Sequence, residues 1–151
     1  MRFKHADISD LNGITDCAKR FFKYAGFEKQ GLPLDVESFE EMVAGYIKGQ
    51  NGIVILLMDE DYVAGGIAGK VETWGFNKDI KLAIELFYWV DEKYRGKDSV
   101  KLLFLYEKFA KALGASKSIM VSVDTHLKGK IDKLYKRMGY SEYEQFYTKD
   151  I

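Results

Sequence analysis

Apolar residues recur along the chain with two different periods, and the changes between them predict the order of helices and strands. A short strand opens the chain, and two stretches of helical spacing follow it, one ending at Gly26 and the other at Gly49. Apolar runs of strand character come next, and a third helical stretch ends at Gly114. A strand, a short basic helix over residues 129–138 and a last strand complete the pattern. The predicted strands cover residues 2–5, 53–58, 62–73, 80–90, 118–123 and 140–148.

The order of these elements, β-α-α-β-β-β-α-β-α-β, predicts an α/β fold of the mixed α+β kind. Strands that are joined by a helix are expected to run parallel, whereas strands joined by short turns run antiparallel. We therefore expect a central mixed sheet of about six to seven strands, flanked by about four helices. The sequence contains one proline and no low-complexity stretch that could serve as a linker, so residues 1–151 are predicted to form a single domain.

The composition places the chain among globular proteins and argues against several classes of partner. Hydrophobic residues make up 47% and aromatic residues 15% of the 151 positions, which is enough for a buried core. Positive and negative residues balance at 23 each, so no overall field would attract nucleic acid or a membrane surface. No apolar run approaches the length of about 20 residues that spans a bilayer, and the first residues lack a signal-peptide pattern. We expect a cytoplasmic protein.

Cysteine and histidine are too scarce to suggest a disulfide or a metal site. Cys17 is the only cysteine, which excludes an intramolecular disulfide and fits a reducing compartment. It lies near the apolar face of the first predicted helix, so we expect buried core rather than a nucleophile. His5 and His126 are far apart in the sequence, and no metal-ligand cluster is expected.

The segment from Glu85 to Phe109 carries the strongest candidate chemistry. A strand ends at Val90, a short basic loop follows, and a helix begins near Ser99. Helix N-termini bind phosphate readily because their first backbone N–H groups are unpaired and the helix dipole is positive there. Gly96 lets the backbone approach a ligand closely, and lysines and an arginine surround it. By spacing alone, an ordinary solvated basic turn fits equally well.

Two motifs in this part of the chain resemble those of a known family. The sequence VDEKYRGKDSVKLL resembles motif A of the GCN5-related N-acetyltransferases (GNAT), whose usual form is V-x-P-x-x-R-G-x-G-I-G-x-x-L-L. Downstream, KIDKLYKRMGY resembles motif B of the same family, typically A-x-x-L-Y-x-x-x-G-F. The separation of the motifs and the order of elements are similar to the family over nearly the whole chain. The ELFYWV strand also resembles that of small GNAT proteins from bacteria and their phages.

The resemblance implies transfer of an acetyl group from acetyl-CoA, the donor, to a primary amine by direct attack in a ternary complex. Backbone amides of the motif A loop would hold the pyrophosphate of the cofactor. The fourth and fifth strands would separate near Tyr88–Val90 and Ile119–Val123, and the pantetheine arm would pair with the fourth. The residues thereby assigned to the cofactor are Tyr88, Val90, Arg95, Gly96, Lys97, Asp98, Ser99, Val100 and Lys101.

Three positions depart from the family pattern. Asp98 stands at the usual second glycine of motif A, Val100 at the usual third glycine or alanine, and Lys128 where an asparagine is common near motif B. The Asp98 carboxylate would either repel the pyrophosphate or turn outward and cap the helix. The side chain of Val100 adds bulk where the backbone should approach phosphate.

Tyr135 and Glu85 are the candidate catalytic residues. Tyr135 matches the motif B tyrosine that protonates the departing thiolate in many members; its other interpretation is a tyrosine that packs the last helix. Glu85 is the only carboxylate inside the fourth predicted strand, and burial would raise its pKa into the range of a base. Its other interpretation is a solvated charge at a strand edge. The oxyanion donor would be a main-chain N–H near Tyr88, and His126 is a weaker candidate base, best interpreted as a loop residue.

Alternation along the fourth strand predicts which side chains accompany Glu85. It assigns Glu85, Phe87 and Trp89 to one face. The opposite face would then carry Leu86, Tyr88 and Val90.

Charge and aromatic residues are distributed unevenly, and this bears on ligands. The basic last helix would attract the 3′-phosphate of the cofactor or simply be solvated; its cations are Lys128, Lys130, Lys133, Lys136 and Arg137. Acids cluster between residues 35 and 72, where they would draw in a cationic amine if they border the acceptor groove: Asp35, Glu37, Glu40, Glu41, Asp59, Glu60, Asp61 and Glu72. Aromatic residues near the first loop would line that groove or belong to the core: Phe21, Phe22, Tyr24 and Phe27.

Two function classes follow from these observations. The first is an acyltransferase that acts on a small-molecule or protein amine. A homodimer is compatible with this class. The alternative is a GNAT-fold protein that has lost catalysis and serves as a binding or inhibitory module for a macromolecule. Asp98, Val100 and Lys128 favour the alternative, whereas Tyr135 and Glu85 favour the enzyme. A nucleotide- or RNA-binding module is not expected, because no P-loop is present and the net charge is zero.

Overall fold

The computed structural model describes residues 1–123 and 128–151 and groups them into two compact units, Met1–Val121 and Ser122–Ile151. The first unit contains five strands: β1 (Arg2–His5), β2 (Gly52–Asp59), β3 (Tyr62–Trp74), β4 (Asn77–Val90) and β5 (Lys117–Ile119). Its helices are α1 (Leu11–Ala25), α2 (Val36–Lys48) and α3 (Lys97–Ala112). The second unit contains α4 (Lys128–Arg137). The single-domain organisation over residues 1–151 stays a prediction.

The five strands form one mixed sheet in the order β1-β2-β3-β4-β5. Strands β4 and β5, joined by the single helix α3, run parallel as predicted. Strands β1 and β2 are also joined by helices, yet they pair antiparallel, so the expectation of parallel strands was wrong there. Two helices separate β1 from β2, and the second helix reverses the direction of the chain once more. The α/β class with a mixed sheet is confirmed.

Both faces of the sheet are covered, which explains the unbroken apolar run of β2. On one face, Val54 and Leu56 of β2 pack with Ile14 of α1 and Val43 of α2 in the main core cluster. On the other face, α3 packs over β2 and β3. A strand that is buried on both faces has no polar positions to alternate with apolar ones. Among the described residues, none of the helices combines the length and apolar character needed to cross a bilayer.

The predicted strand over residues 140–148 is absent: residues 140–151, all described, lie in neither helix nor strand. The sheet described here therefore has five strands rather than six to seven. Alternating aromatic residues favour a strand only where a neighbouring strand supplies hydrogen bonds, and Tyr143, Phe146 and Tyr147 of this segment are largely exposed. Strand β5 is also shorter than predicted and ends at Ile119.

Candidate active site

The N-terminus of α3, from Gly96 to Ser99, is open, and we call it the mouth of α3. The helix begins at Lys97, two residues before the predicted start at Ser99. Gly96 has a φ of 154°, a conformation that favours glycine, and a Cβ added there would meet nothing within 4 Å. Its N–H donates to the Ser99 hydroxyl at 3.0 Å, and that hydroxyl donates back to the Gly96 carbonyl at 2.7 Å. The amides of the next three residues point along the axis without intrahelical acceptors, as in any first helical turn.

Asp98 is turned along the helix surface toward a lysine. The Lys101 ammonium lies 3.0 Å from the Asp98 carboxylate, in an i,i+3 pair. Of the two alternatives for Asp98, capping of the helix is not seen, because its carboxylate pairs with Lys101 and α3 has no side-chain cap hydrogen bond. The adjacent Lys101 offsets the negative charge that Asp98 brings to the first turn. Val100, the other departure from motif A, is half-buried, and its N–H already donates to the Gly96 carbonyl at 3.3 Å.

A β-bulge in β4 decides which way Glu85 points. Ala68 of β3 pairs with Phe87, but the next β3 residue, Gly69, pairs with Glu85, so Leu86 is left over. Directly paired residues share a face, and consecutive residues on β3 face opposite sides. Phe87 therefore lies on the Ala68 side, whereas Glu85 lies on the Gly69 side. Phe87 belongs to the core cluster with α1 and α2, and Leu86 packs against the same cluster.

Glu85 instead shares the α3 face with Tyr88. A Cβ on Gly69, the partner of Glu85, would collide with Tyr106 of α3, and the Tyr88 hydroxyl donates to the Ser99 carbonyl in the first turn of α3 at 2.8 Å. The predicted grouping of Glu85 with Phe87 and Trp89 was therefore wrong. Simple alternation fails because Leu86 is one extra residue in the strand, so the side chains on its two sides follow alternation in opposite phase.

The carboxyl group of Glu85 is buried and hydrogen-bonded once to backbone. The residue is 7% exposed, and the N–H of Val121 donates to its Oε2 at 2.7 Å. Burial raises the pKa of Glu85 to about 7, even though the hydrogen bond from Val121 acts to lower it. A carboxyl group with this pKa exchanges a proton readily near neutral pH. The interpretation of Glu85 as a solvated charge at a strand edge is wrong.

Among the described residues, the pairing of β4 with β5 stops at Ile84, directly before Glu85. Only three residue pairs connect them, and the last is Ile84 with Ile119. From Glu85 to Val90, β4 has no β5 partner in the part of the chain that the structure describes; the Val121 N–H donates to the Glu85 side chain, and the Val90 carbonyl accepts from Arg95. A strand edge that lacks a neighbouring strand can pair with an extended ligand. Tyr88 lies within this segment, and burial raises the pKa of its phenol to about 12, so the phenol stays protonated.

An open helix mouth, two separating strands and a buried carboxyl group thus occur within one part of the first unit. A family model described as "Acetyltransferase (GNAT) family" matches residues 16–140. The chain belongs to the acetyltransferase (GNAT) family. No protein among curated sequences matches it.

Solved structures of acetyltransferases are similar to the chain over nearly its whole length. A GCN5-related N-acetyltransferase from Ralstonia eutropha JMP134 matches with a TM-score of 0.79 and 17% identity, covering 99% of this chain and 97% of that chain. An aminoglycoside acetyltransferase from an uncultured soil metagenomic sample matches with a TM-score of 0.70 and 18% identity (99% and 96% covered). An acetyltransferase of Trypanosoma brucei matches with a TM-score of 0.70 and 15% identity, covering 99% of this chain and 99% of that chain. At these identities the likeness concerns the fold, and none of these matches supports a phage origin.

The remaining predicted GNAT site residues fall in the second unit or outside the described residues. Tyr135 lies in α4, is 7% exposed and has its ring centroid 5.5 Å from that of Tyr140. His126 and the side chain of Lys128 lie outside the described residues. The other cations of α4 are exposed. The catalytic role of Tyr135 stays a prediction.

Several acids and aromatic residues of the N-terminal half of this GNAT chain have structural partners. Asp35 caps α2 by accepting from the Ser38 N–H at 2.9 Å, and Glu40 accepts from Thr15 at 2.8 Å beside a cleft of about 320 Å³ between α1 and α2. Phe21 and Tyr24 pack against the core cluster rather than forming a free wall. Cys17 is 2% exposed, and burial raises the pKa of its thiol to about 12, which confirms the core interpretation.

Asp91, which the sequence analysis did not single out, organises the end of β4 in this GNAT protein. It accepts from Trp89 at 2.9 Å, from Arg20 at 3.0 Å and from Tyr62 at 2.6 Å. The donors come from β4, α1 and β3, which no local pattern brings together. A carboxylate directly after an apolar strand was the one available signal. Val121 was missed likewise, because an apolar side chain does not reveal the role of its backbone N–H.

Proposed function

We propose that this protein transfers an acetyl group from acetyl-CoA to a primary amine by direct attack in a ternary complex. The observation that carries the proposal is the position of Glu85, which is buried on the α3 side of the sheet where β4 and β5 separate. Glu85 supplies a carboxyl group with a pKa of about 7 next to the part of β4 that has no β5 partner within the described ranges 1–123 and 128–151. Such a group suits a general base that works near neutral pH.

The described residues fit the cofactor in charge and in space. The first-turn amides of α3 would hold the diphosphate, with Gly96 leaving room for it and Lys97 adding positive charge, while Lys101 offsets the charge of Asp98. The edge of β4 from Tyr88 to Val90 would pair with the pantetheine arm. Acetyl-CoA supplies the activated acyl carbon of a thioester.

The protein's own groups would then handle charge and protons. Glu85, when ionised, accepts a proton from the acceptor amine, so that a neutral nitrogen attacks. A backbone N–H of β4 near Tyr88 hydrogen-bonds the oxygen on which negative charge develops. Tyr135 provides the proton that the departing thiolate needs.

The acceptor is proposed to be a cationic amine, either a small molecule or a protein side chain. Glu37 and Glu41 are exposed along α2 and would attract a cation if they border the acceptor groove. The family and the balanced charge fit a cytoplasmic enzyme. The alternative, a binding module without catalysis, has lost part of its basis, because Asp98 is paired with Lys101 instead of pointing into the helix mouth.

Acetyl-CoA is expected to stabilise the protein against heat. At a cofactor concentration about a hundredfold above its dissociation constant, binding should add about 2.7 kcal/mol to the free energy of unfolding. For a chain of this size that corresponds to a rise in Tm of about 5–10 °C, measurable by differential scanning fluorimetry. S-acetylpantetheine, which lacks the diphosphate, is the control and should give a much smaller shift. No shift at millimolar acetyl-CoA would contradict the proposal.

Replacing Tyr135 with phenylalanine is expected to slow turnover and leave cofactor binding intact. Loss of a general acid costs about a hundredfold in kcat, whereas the ring and its contact with Tyr140 are kept. The measurement is CoA release with a panel of primary amines, alongside the thermal shift with acetyl-CoA. A variant that loses the thermal shift together with activity would mean that Tyr135 has a structural role only.

A further inference from the structure

Arg95, at the base of the loop that leads into α3, lies over two aromatic rings from different elements. Its guanidinium carbon is 5.3 Å from the centroid of the Tyr24 ring on α1 and 4.8 Å from that of the Trp89 ring on β4. The Arg95 Nε donates to the Val90 carbonyl oxygen at 2.9 Å. The two rings also contact each other, with centroids 4.7 Å apart. We call Arg95, Tyr24 and Trp89 the Arg95 cluster.

Asp91 holds the Trp89 ring of the Arg95 cluster in place through a hydrogen bond. The indole N–H of Trp89 donates to Asp91 at 2.9 Å, and the same carboxylate oxygen accepts from Arg20 of α1 at 3.0 Å. Arg20 also donates to the Val63 carbonyl of β3 at 2.7 Å. Although burial acts to raise the pKa of Asp91, these donors hold it below its usual value, so the carboxylate stays charged. The Trp89 ring is therefore a rigid base for Arg95.

We propose that Arg95 is a positioning residue, which fastens the cofactor loop to α1 and β4 instead of binding phosphate itself. The inference rests on the proposed function for the identity of the cofactor. A flat, weakly hydrated guanidinium suits two aromatic surfaces, and a lysine ammonium of the same charge does not. Holding the loop in place before binding lowers the entropy that the cofactor must overcome. Affinity at the mouth of α3 then depends on Tyr24, which lies far away in the sequence.

The substitution Arg95→Lys separates two contributions of Arg95 to cofactor binding, its charge and its positioning of the loop. Lysine keeps the positive charge but lacks the guanidinium group. We expect the dissociation constant of acetyl-CoA to rise by about threefold to tenfold, with the same dependence on salt as in the wild type. The matched control is Lys97→Ala, an exposed cation of the same loop, which should weaken the salt dependence because it acts through its charge. Wild-type affinity in Arg95→Lys would overturn the proposal.

The link to α1 is tested with Tyr24. Tyr24→Leu removes one ring of the Arg95 cluster and should weaken acetyl-CoA binding by about threefold or more. Tyr24→Phe keeps the ring and should bind as the wild type does. Wild-type binding by Tyr24→Leu would show that α1 has no part in holding the loop. This pair also keeps the proposal refutable if Arg95→Lys fails to fold.

A third measurement needs no cofactor. The chain has two tryptophans, so Trp74→Phe leaves Trp89 as the only one and its emission reports on the Arg95 cluster. In this background Arg95→Lys should shift the emission of Trp89 and Lys97→Ala should not, with far-UV circular dichroism confirming that both fold. An unchanged emission in Arg95→Lys would contradict the proposal. A wild type that fails to bind acetyl-CoA would instead refute the proposed function, and this measurement would still stand.

Discussion

Replacing Glu85 with glutamine is expected to abolish most of the activity and, at the same time, to stabilise the protein at alkaline pH. Glutamine cannot accept a proton from the acceptor amine, so kcat should fall by about a hundredfold or more. Its amide oxygen can still accept from the Val121 N–H, which keeps the contact that Glu85 makes at 2.7 Å. In the wild type, activity should rise with pH through a pKa of about 7, as the buried carboxyl group ionises.

The stability effect follows from the same pKa. In the folded protein the pKa of Glu85 is about 7, above the ordinary value of 4.5 that holds when the chain is unfolded. The folded state therefore binds the proton more tightly, and the free energy of unfolding falls as pH rises from about 4.5 to about 7. Above that range the ionised carboxylate costs about 3 kcal/mol, a cost that Glu85→Gln removes.

Urea denaturation at pH 4.5 and pH 8 measures this difference directly. The stability of the glutamine variant relative to the wild type should be greater at pH 8 than at pH 4.5 by about 3 kcal/mol. Any cost of burying the amide itself is the same at both pH values and cancels. Glu85→Ala is the control, since it removes the hydrogen bond to Val121 as well as the charge. An equal difference at both pH values would mean that Glu85 titrates as an ordinary exposed carboxylate.

Replacing Gly69 with alanine is expected to cost about 3 kcal/mol of stability, because a methyl group has no room there. The added Cβ would collide with the Tyr106 hydroxyl of α3 and with the Ile84 carbonyl of β4. Tyr106 is fully buried, and the carbonyl belongs to the backbone, so neither can easily move away. Gly69 also pairs with Glu85 at the bulge, so activity should fall together with stability.

A glycine in an open environment provides the matched control. Gly45 lies within α2, and a Cβ added there would meet nothing within 4 Å. Gly45→Ala should therefore stabilise the protein by about 0.5–1 kcal/mol, since alanine favours the helix. Urea denaturation of the two variants gives opposite signs if the close approach at Gly69 is real. A neutral Gly69→Ala would mean that α3 lies farther from β3.

The sequence by itself determined the elements and the place of the candidate chemistry. Helical spacing and terminal glycines predicted α1, which ends just before Gly26, a residue with a φ of 71°. The order of a strand, a basic loop and a helix predicted the open mouth of α3 at Gly96. These features depend on interactions between residues that are close in the chain, so a local pattern is enough to reveal them.

Only the tertiary structure decided where the critical side chains point. The facing of Glu85 depends on a bulge, which exists only in the pairing of β4 with β3. The position of Arg95 depends on a ring from α1, and the partner of the Glu85 carboxyl group is the N–H of Val121, 36 residues further along the chain. Each of these outcomes is set by contacts between distant parts of the chain. Strand alternation and motif spacing carry no information about such contacts, because they record only the order of residues along the backbone.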